Sequence, residues 1–223
     1  MKRTKLADRR LPSYTKGEEI FNMVSHIVGG AFGIVALVTT VLAAAFKGDV
    51  FGVVGSAIYG ASFILLYTMS SIYHGLKAGV AKKVMQVLDH CTIFILIAGT
   101  YTPILLSGVR KISPAWAWSM FGIVWGCAAL GIVLNAIDLK KYAKFSMICY
   151  IAMGWCIVMA GKVTLKAIPF NGLMFLLAGG IAYTVGAVFY GFGKKCKYIH
   201  SVFHLFVVLG SVLQYISIIV YII

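Results

Sequence analysis

With 223 residues, 61% of them apolar and only six acidic, this chain lies far from globular composition, in which roughly half of the residues are apolar. Its 20 basic residues give a formal net charge of +14, but they stand in short clusters between long apolar runs, as membrane anchoring requires and a nucleic-acid surface does not. Composition therefore excludes a soluble globular domain, argues against a nucleic-acid partner, and implies a multi-pass protein of the cell (plasma or inner) membrane.

In chain order, residues 1–20 form a basic cytoplasmic tail that leads into the first helix. Thr15 and Glu18 have the spacing of a capping box, which accounts for Glu18 and leaves Glu19 without such a reason. The first apolar run is longer than the roughly 7–15 residues of a signal-peptide core and follows a polar, partly acidic segment, so the tail is expected to stay on the protein. Cutting the remainder at its charged clusters predicts seven transmembrane helices, at 21–46, 51–74, 86–107, 115–136, 145–165, 171–192 and 199–222, with 21–223 as one domain. Each is near or above the roughly 20 residues that cross a bilayer. Backbone groups in hydrocarbon must bond one another and period-2 alternation is absent, so an all-α bundle is predicted over a β-barrel.

Gly29-x-x-x-Gly33 in span one and Gly122-x-x-x-Gly126 in span four are expected to let helices approach closely within the bundle, with no oligomer specified. Pro103 is expected to kink span three, Pro114 and Pro169 stand where spans four and six begin, and Trp116, Trp118 and Tyr221 fall near one interface. The five cysteines (Cys91, Cys127, Cys149, Cys156, Cys196) are odd in number and lack a C-x-x-C pair. They read as small apolar side chains, not as a disulfide framework.

Orientation follows from the basic residues. Lys2, Arg3, Lys5, Arg9, Arg10 and Lys16 precede span one, and three lysines follow each of spans two, four and six: Lys77, Lys82, Lys83; Lys140, Lys141, Lys144; Lys194, Lys195, Lys197. The opposite side has only Lys47, Arg110, Lys111, Lys162 and Lys166. A division of 15 to 5 predicts a cytoplasmic N-terminus and a C-terminus outside.

Threaded this way, the polar residues of the spans fall at one depth. Span one leaves the cytoplasm with Glu19, Asn22 and His26, span two returns with Ser70 and His74, span three leaves with Asp89 and His90, and span seven leaves with His200 and His204. Ionisable groups inside a membrane are costly and mark functional sites, and Asp89, the one carboxylate within a span, requires a partner. His200 and His204 are four residues apart, so both project from one helix face about 6 Å from each other. With His74 they offer three imidazoles from two helices, and span three adds a carboxylate. Three neutral nitrogens with an open fourth position is the arrangement of a catalytic zinc site. His90 must point about 100° away from Asp89 on a helix and reads as a packing or outer group. Glu19, Asn22 and His26 are candidates for a second shell around the metal.

Glu19-x-x-Asn22-x-x-x-His26, Ser70-x-x-x-His74, Asp89 early in the third span and His200-x-x-x-His204 in the seventh together resemble the motif set of the hemolysin III family. That family is the bacterial branch of the progestin and adiponectin receptor group, which is similar in turn to alkaline ceramidases. The resemblance covers nearly the whole chain, with the motifs in order. It implies a zinc ion held by His74, His200 and His204, with Asp89 holding the water on the metal and Ser70 supporting it. For ceramidase-like relatives it implies hydrolysis of a lipid amide; for receptor relatives, sensing of lipids or membrane state.

The expected function is a metal-dependent lipid amide or ester hydrolase at the cytoplasmic leaflet, with membrane lipids as substrate and Asp89 and Ser70 as catalytic residues. A cavity opening sideways to lipid would admit the substrate. The alternative is a non-catalytic, zinc-stabilised sensor or receptor in which lipid is the ligand. A pore-forming haemolysin is a third reading, opposed by outer halves that offer mostly Thr39, Thr40, Thr100, Thr102 and Ser107. A retinal pigment would need a lysine in the last span, which has none.

Overall fold

The structure, a computed structural model, describes residues 4–192 and 196–223. Lys2, Arg3, Lys194 and Lys195, counted above for orientation, lie outside the described residues. Among the described residues, seven α-helices longer than one turn carry the fold: α1 (Lys16–Phe46), α2 (Val50–Gly75), α3 (Val80–Pro103), α4 (Pro114–Trp155), α5 (Gly161–Ala167), α6 (Phe170–Phe192) and α7 (Ile199–Ser217). Among the described residues there is no strand. Six helical stretches are long and apolar enough to cross a membrane, and the fourth, Pro114–Ala167, takes in both spans predicted at 115–136 and 145–165. It is interrupted at Asp138, whose backbone is extended (φ −158°, ψ 94°). The Asp138 carboxylate accepts the amide of Lys141 at 3.1 Å, capping the second half of that stretch.

Local sequence explains where helices begin. The capping box at Thr15 and Glu18 is formed as expected, so α1 starts at Lys16, within the segment assigned to the tail and the start of the helix. α3 starts at Val80, one and a half turns before the predicted residue 86, because Lys82 is tolerated inside the helix: its ammonium bonds Glu19 at 2.6 Å and the Leu76 carbonyl at 3.0 Å. At Pro103 the winding changes. The helix continues through Ile104–Val109 as a π-helical stretch, which accommodates a residue with no N–H to give.

α1 packs on α2, α2 on α3, α3 on α4 and α6 on α7, while α7 returns to α1. Small residues set the closest approaches. A Cβ on Gly33 would press on the Phe63 ring and the Ile64 backbone, and one on Gly29 would meet the ring of Tyr67. By contrast, nothing lies within 4 Å of where a Cβ would stand on Gly122 or Gly126. That second small-residue pair faces outward and, among the described residues, packs against no other helix, contrary to expectation. Tyr59, Phe63, Tyr67, Phe94, Leu105, Val124 and Ile218 form the core. Outward faces are equally apolar: Ile27, Val28, Ile34, Ile123, Leu130, Val133, Ile181 and Leu205 are all exposed, as lipid contact requires. All five cysteines are free.

Candidate metal centre

Four helix ends converge at the end of the bundle where α1 begins. His74 lies in the last turn of α2 and Ser70 one turn before it; His200 opens α7 and His204 follows on the same face; Asp89 stands in the third turn of α3. α1 contributes Glu19, Asn22 and His26 on its first turns. His74, His200 and His204 are all buried, and one ring nitrogen from each lies within 4.8 Å of the others. The three imidazoles can hold one metal ion.

Hydrogen bonds orient this set. Nδ1 of His74 is 2.6 Å from Oε2 of Glu19, whose other oxygen receives Lys82 at 2.6 Å. With its proton on Nδ1 and donated to the carboxylate, His74 keeps a lone pair on Nε2, which is buried and has no partner. The Nε2 atoms of His200 and His204 are 3.1 Å apart. Two nitrogens each about 2.0–2.1 Å from a tetrahedral ion stand about 3.3 Å from one another, so little movement separates this pair from a shared ion. The ring of His74 lies 4.9 Å from that of His204 and 5.5 Å from that of His200.

Around these rings, unsatisfied polar atoms concentrate. Both side-chain polar atoms of Asn22, both nitrogens of His26, Nδ1 of His204 and Oγ of Ser201 are buried without a hydrogen-bond partner. An unmet buried donor or acceptor costs about 1–3 kcal/mol, and such a concentration at one place marks room for an ion or for water. His26 stacks on His204 with centroids 3.8 Å apart and meets Tyr67 edge-on at 4.8 Å. The three α1 residues therefore differ: Glu19 bonds a ligand candidate directly, His26 touches one through its ring face, and the Asn22 amide bonds nothing.

The Asp89 carboxylate has the Ser70 hydroxyl beside it and lies 3.7 Å from Nδ1 of His90. His90 itself is accounted for by packing. Its Nδ1 donates to the Gln86 carbonyl at 2.8 Å, which leaves Nε2 to accept from the Tyr190 hydroxyl at 3.2 Å.

Sequence reasoning missed two residues. Lys82 reads as one more topological charge until the helix start places it against Glu19. Tyr14, in the tail, stacks on His200 with centroids 4.9 Å apart and planes at 16°, and lies 5.8 Å from the ring of His74. Burial, and then the neighbouring Tyr190 and Glu19, push its phenol well above the ordinary value. The tail reaches this position as a strap. The Thr4 amide donates to Asp138 at 2.8 Å, Lys83 donates to the Ala7 carbonyl, and Arg9 donates to the Ile137 carbonyl at 3.4 Å. At the same end, Glu18 accepts the amide of Tyr198 at 2.7 Å and fixes the start of α7.

Comparison with known proteins gives the family. The profile of the family described as haemolysin-III related matches residues 14–215, from the tyrosine over the histidines to the last turns of α7. The chain is 36% identical over 213 residues to Hemolysin-3 of Bacillus cereus, covering 96% of this chain and 95% of the relative. It is 34% identical over 208 residues to a Hemolysin-3 homolog of Bacillus subtilis (strain 168), covering 93% and 96%. A more distant similarity, 27% over 209 residues covering 90% and 83%, links it to the human Monocyte to macrophage differentiation factor. The chain belongs to the hemolysin III family of multi-pass membrane proteins.

Proposed function

We propose that the protein is a zinc-dependent hydrolase of lipid amides or esters, working at the cytoplasmic leaflet from a seven-span bundle with its N-terminus in the cytoplasm. The span count rests on length. A straight 54-residue helix would run about 80 Å, well over twice the roughly 30 Å hydrocarbon thickness, and the break at Asp138 divides it where three lysines follow. The excess of basic residues at the histidine end supports a cytoplasmic position for that end.

The observation that carries the reading is the convergence of three buried imidazoles, one of them oriented by a carboxylate through its far nitrogen. His74, His200 and His204 would hold the ion, and Glu19 would fix the tautomer of His74, leaving a fourth position open. A bound zinc ion supplies Lewis acidity toward a carbonyl and brings water near a neutral pKa. Asp89, the adjacent carboxylate, would take the proton from water as it attacks. Ser70, beside Asp89, would hold that carboxylate in place or turn its hydroxyl to the developing oxyanion.

A second reading, a zinc-stabilised lipid sensor without turnover, is favoured by the stacking of Tyr14 over His200, which covers the cluster from the tail side. One experiment separates the two. Purified, metal-analysed protein is incubated with ceramide and phospholipid vesicles and the products are read by mass spectrometry. Release of fatty acid that is lost in Asp89→Asn while zinc is retained supports the hydrolase; zinc-loaded protein that releases nothing from either class supports the sensor.

A further inference from the structure

We propose that a groove between α1 and α7 seats one acyl chain of an inner-leaflet lipid, with the chain's carbonyl end at the level of the histidines; the proposal rests on the reading that this cluster acts on a lipid carbonyl. The groove has a volume of about 300 Å³ and is lined by Phe21, Val24, Ser25 and Val28 of α1 and by Leu205 and Val208 of α7. Its only polar lining residue is already engaged, because the Ser25 hydroxyl donates to the Asn22 carbonyl at 3.0 Å. The walls therefore offer no hydrogen bond to a headgroup and suit a hydrocarbon chain.

Position supports the same occupant. Val24, Val28 and Leu205 are exposed on the outer face of the bundle, so the groove is continuous with the surface that meets lipid. Along α7, Leu205 and Val208 stand about 7 and 12 Å beyond His200 at 1.5 Å per residue, and Phe21 to Val28 extend about 10 Å along α1. A chain lying there runs from the histidine end toward the membrane centre, the direction taken by an acyl chain whose carbonyl is at the inner interface.

The walls stay apolar at the inner end as well: Ser201, one turn before Leu205 on α7, and Asn22, next to Phe21 on α1, are buried inside the bundle and take no part in the lining.

The test does not need turnover. The protein is reconstituted in phosphatidylethanolamine and phosphatidylglycerol vesicles containing a phosphatidylglycerol with a diazirine in its acyl chain, irradiated, and its labelled peptides are mapped by mass spectrometry. Adducts should concentrate several-fold on peptides holding Phe21–Val28 and Leu205–Val208 relative to the equally exposed Ile123, Leu130 and Val133 face of α4. Val208→Trp, which fills the groove, should abolish the excess while metal content stays unchanged. Labelling no greater than on the α4 face, or unaffected by Val208→Trp, overturns the proposal. Running His74→Ala in parallel separates the two ideas: loss of metal with the labelling excess intact leaves the groove standing, whereas a zinc-loaded protein without the excess removes the groove and spares the metal centre.

Discussion

The histidine end of the bundle and the flank formed by α4 treat buried polar groups in opposite ways. On the α4 flank the groups close on one another. Ser146 donates to Asn135 at 2.6 Å, Asn135 to Tyr150 at 3.3 Å, and Tyr150 to the carbonyl of His90 at 2.7 Å. His90 completes this set with both nitrogens used. At the other site, His74 uses one nitrogen and keeps the second free, and Asn22, His26 and Ser201 have unmet atoms beside it. A satisfied network rigidifies a core, and a partly satisfied one costs stability unless something fills it. Two histidines sixteen residues apart are thus assigned different tasks by their second nitrogens.

Exchanging those tasks tests the contrast most sharply. His74→Ala should lower bound metal from about one ion per chain to background in elemental analysis, while His90→Ala should keep its metal and lose only about 1 kcal/mol with its hydrogen bonds; equal metal loss in both variants would erase the distinction. Next in size, Glu19→Gln should weaken metal affinity about 10–100-fold in chelator competition, because the group that orients His74 loses its charge. An unchanged affinity would show that the carboxylate serves Lys82 alone.

The two glycine pairs extend the comparison to packing. Gly29→Leu forces a side chain into the ring of Tyr67 and should destabilise by about 1–3 kcal/mol, whereas Gly126→Leu, with open space around its Cβ, should stay within about 0.5 kcal/mol. Thermal unfolding in detergent ranks them. The smallest effect concerns the opposite end of α2, where Asp49 accepts the Gly52 amide at 3.0 Å and Lys111 at 3.1 Å. Burial raises its pKa, but these partners outweigh it and hold the carboxyl below its ordinary value. Its contribution is therefore present above the unfolded value near 3.9 and is lost as pH falls through the lower folded value. Asp49→Ala should cost about 1 kcal/mol at neutral pH, and its difference from wild type should shrink in acid; a constant difference across pH would contradict the assignment.

The helical, membrane-embedded character was legible in uninterrupted apolar runs, and the meeting of His74, His200 and His204 in four-residue spacings at span ends. Periodicity along single helices carries such information. It carries none about contacts between distant segments, which is why Tyr14 over His200 and Lys82 on Glu19 escaped notice. Gly122 and Gly126 show the converse error, since spacing alone does not say which face of a helix has a neighbour. At Pro103 the sequence announces a disturbance but not its form: a missing N–H can be met by looser winding as well as by a bend.

The pairing of Glu19 with both His74 and Lys82 has a consequence for biogenesis. All three residues belong to the first three helices, whereas His200 and His204 emerge more than a hundred residues later. At about 5–20 residues per second, a ribosome would leave that early trio waiting on the order of ten seconds. Through the delay one carboxylate, one imidazole and one ammonium hold each other, so neither Glu19 nor Lys82 enters the bilayer as a bare charge. A chain arrested after α6 would keep the trio and yet lack two of the three clustered imidazoles, so the cluster is completed only when the last helix has been inserted.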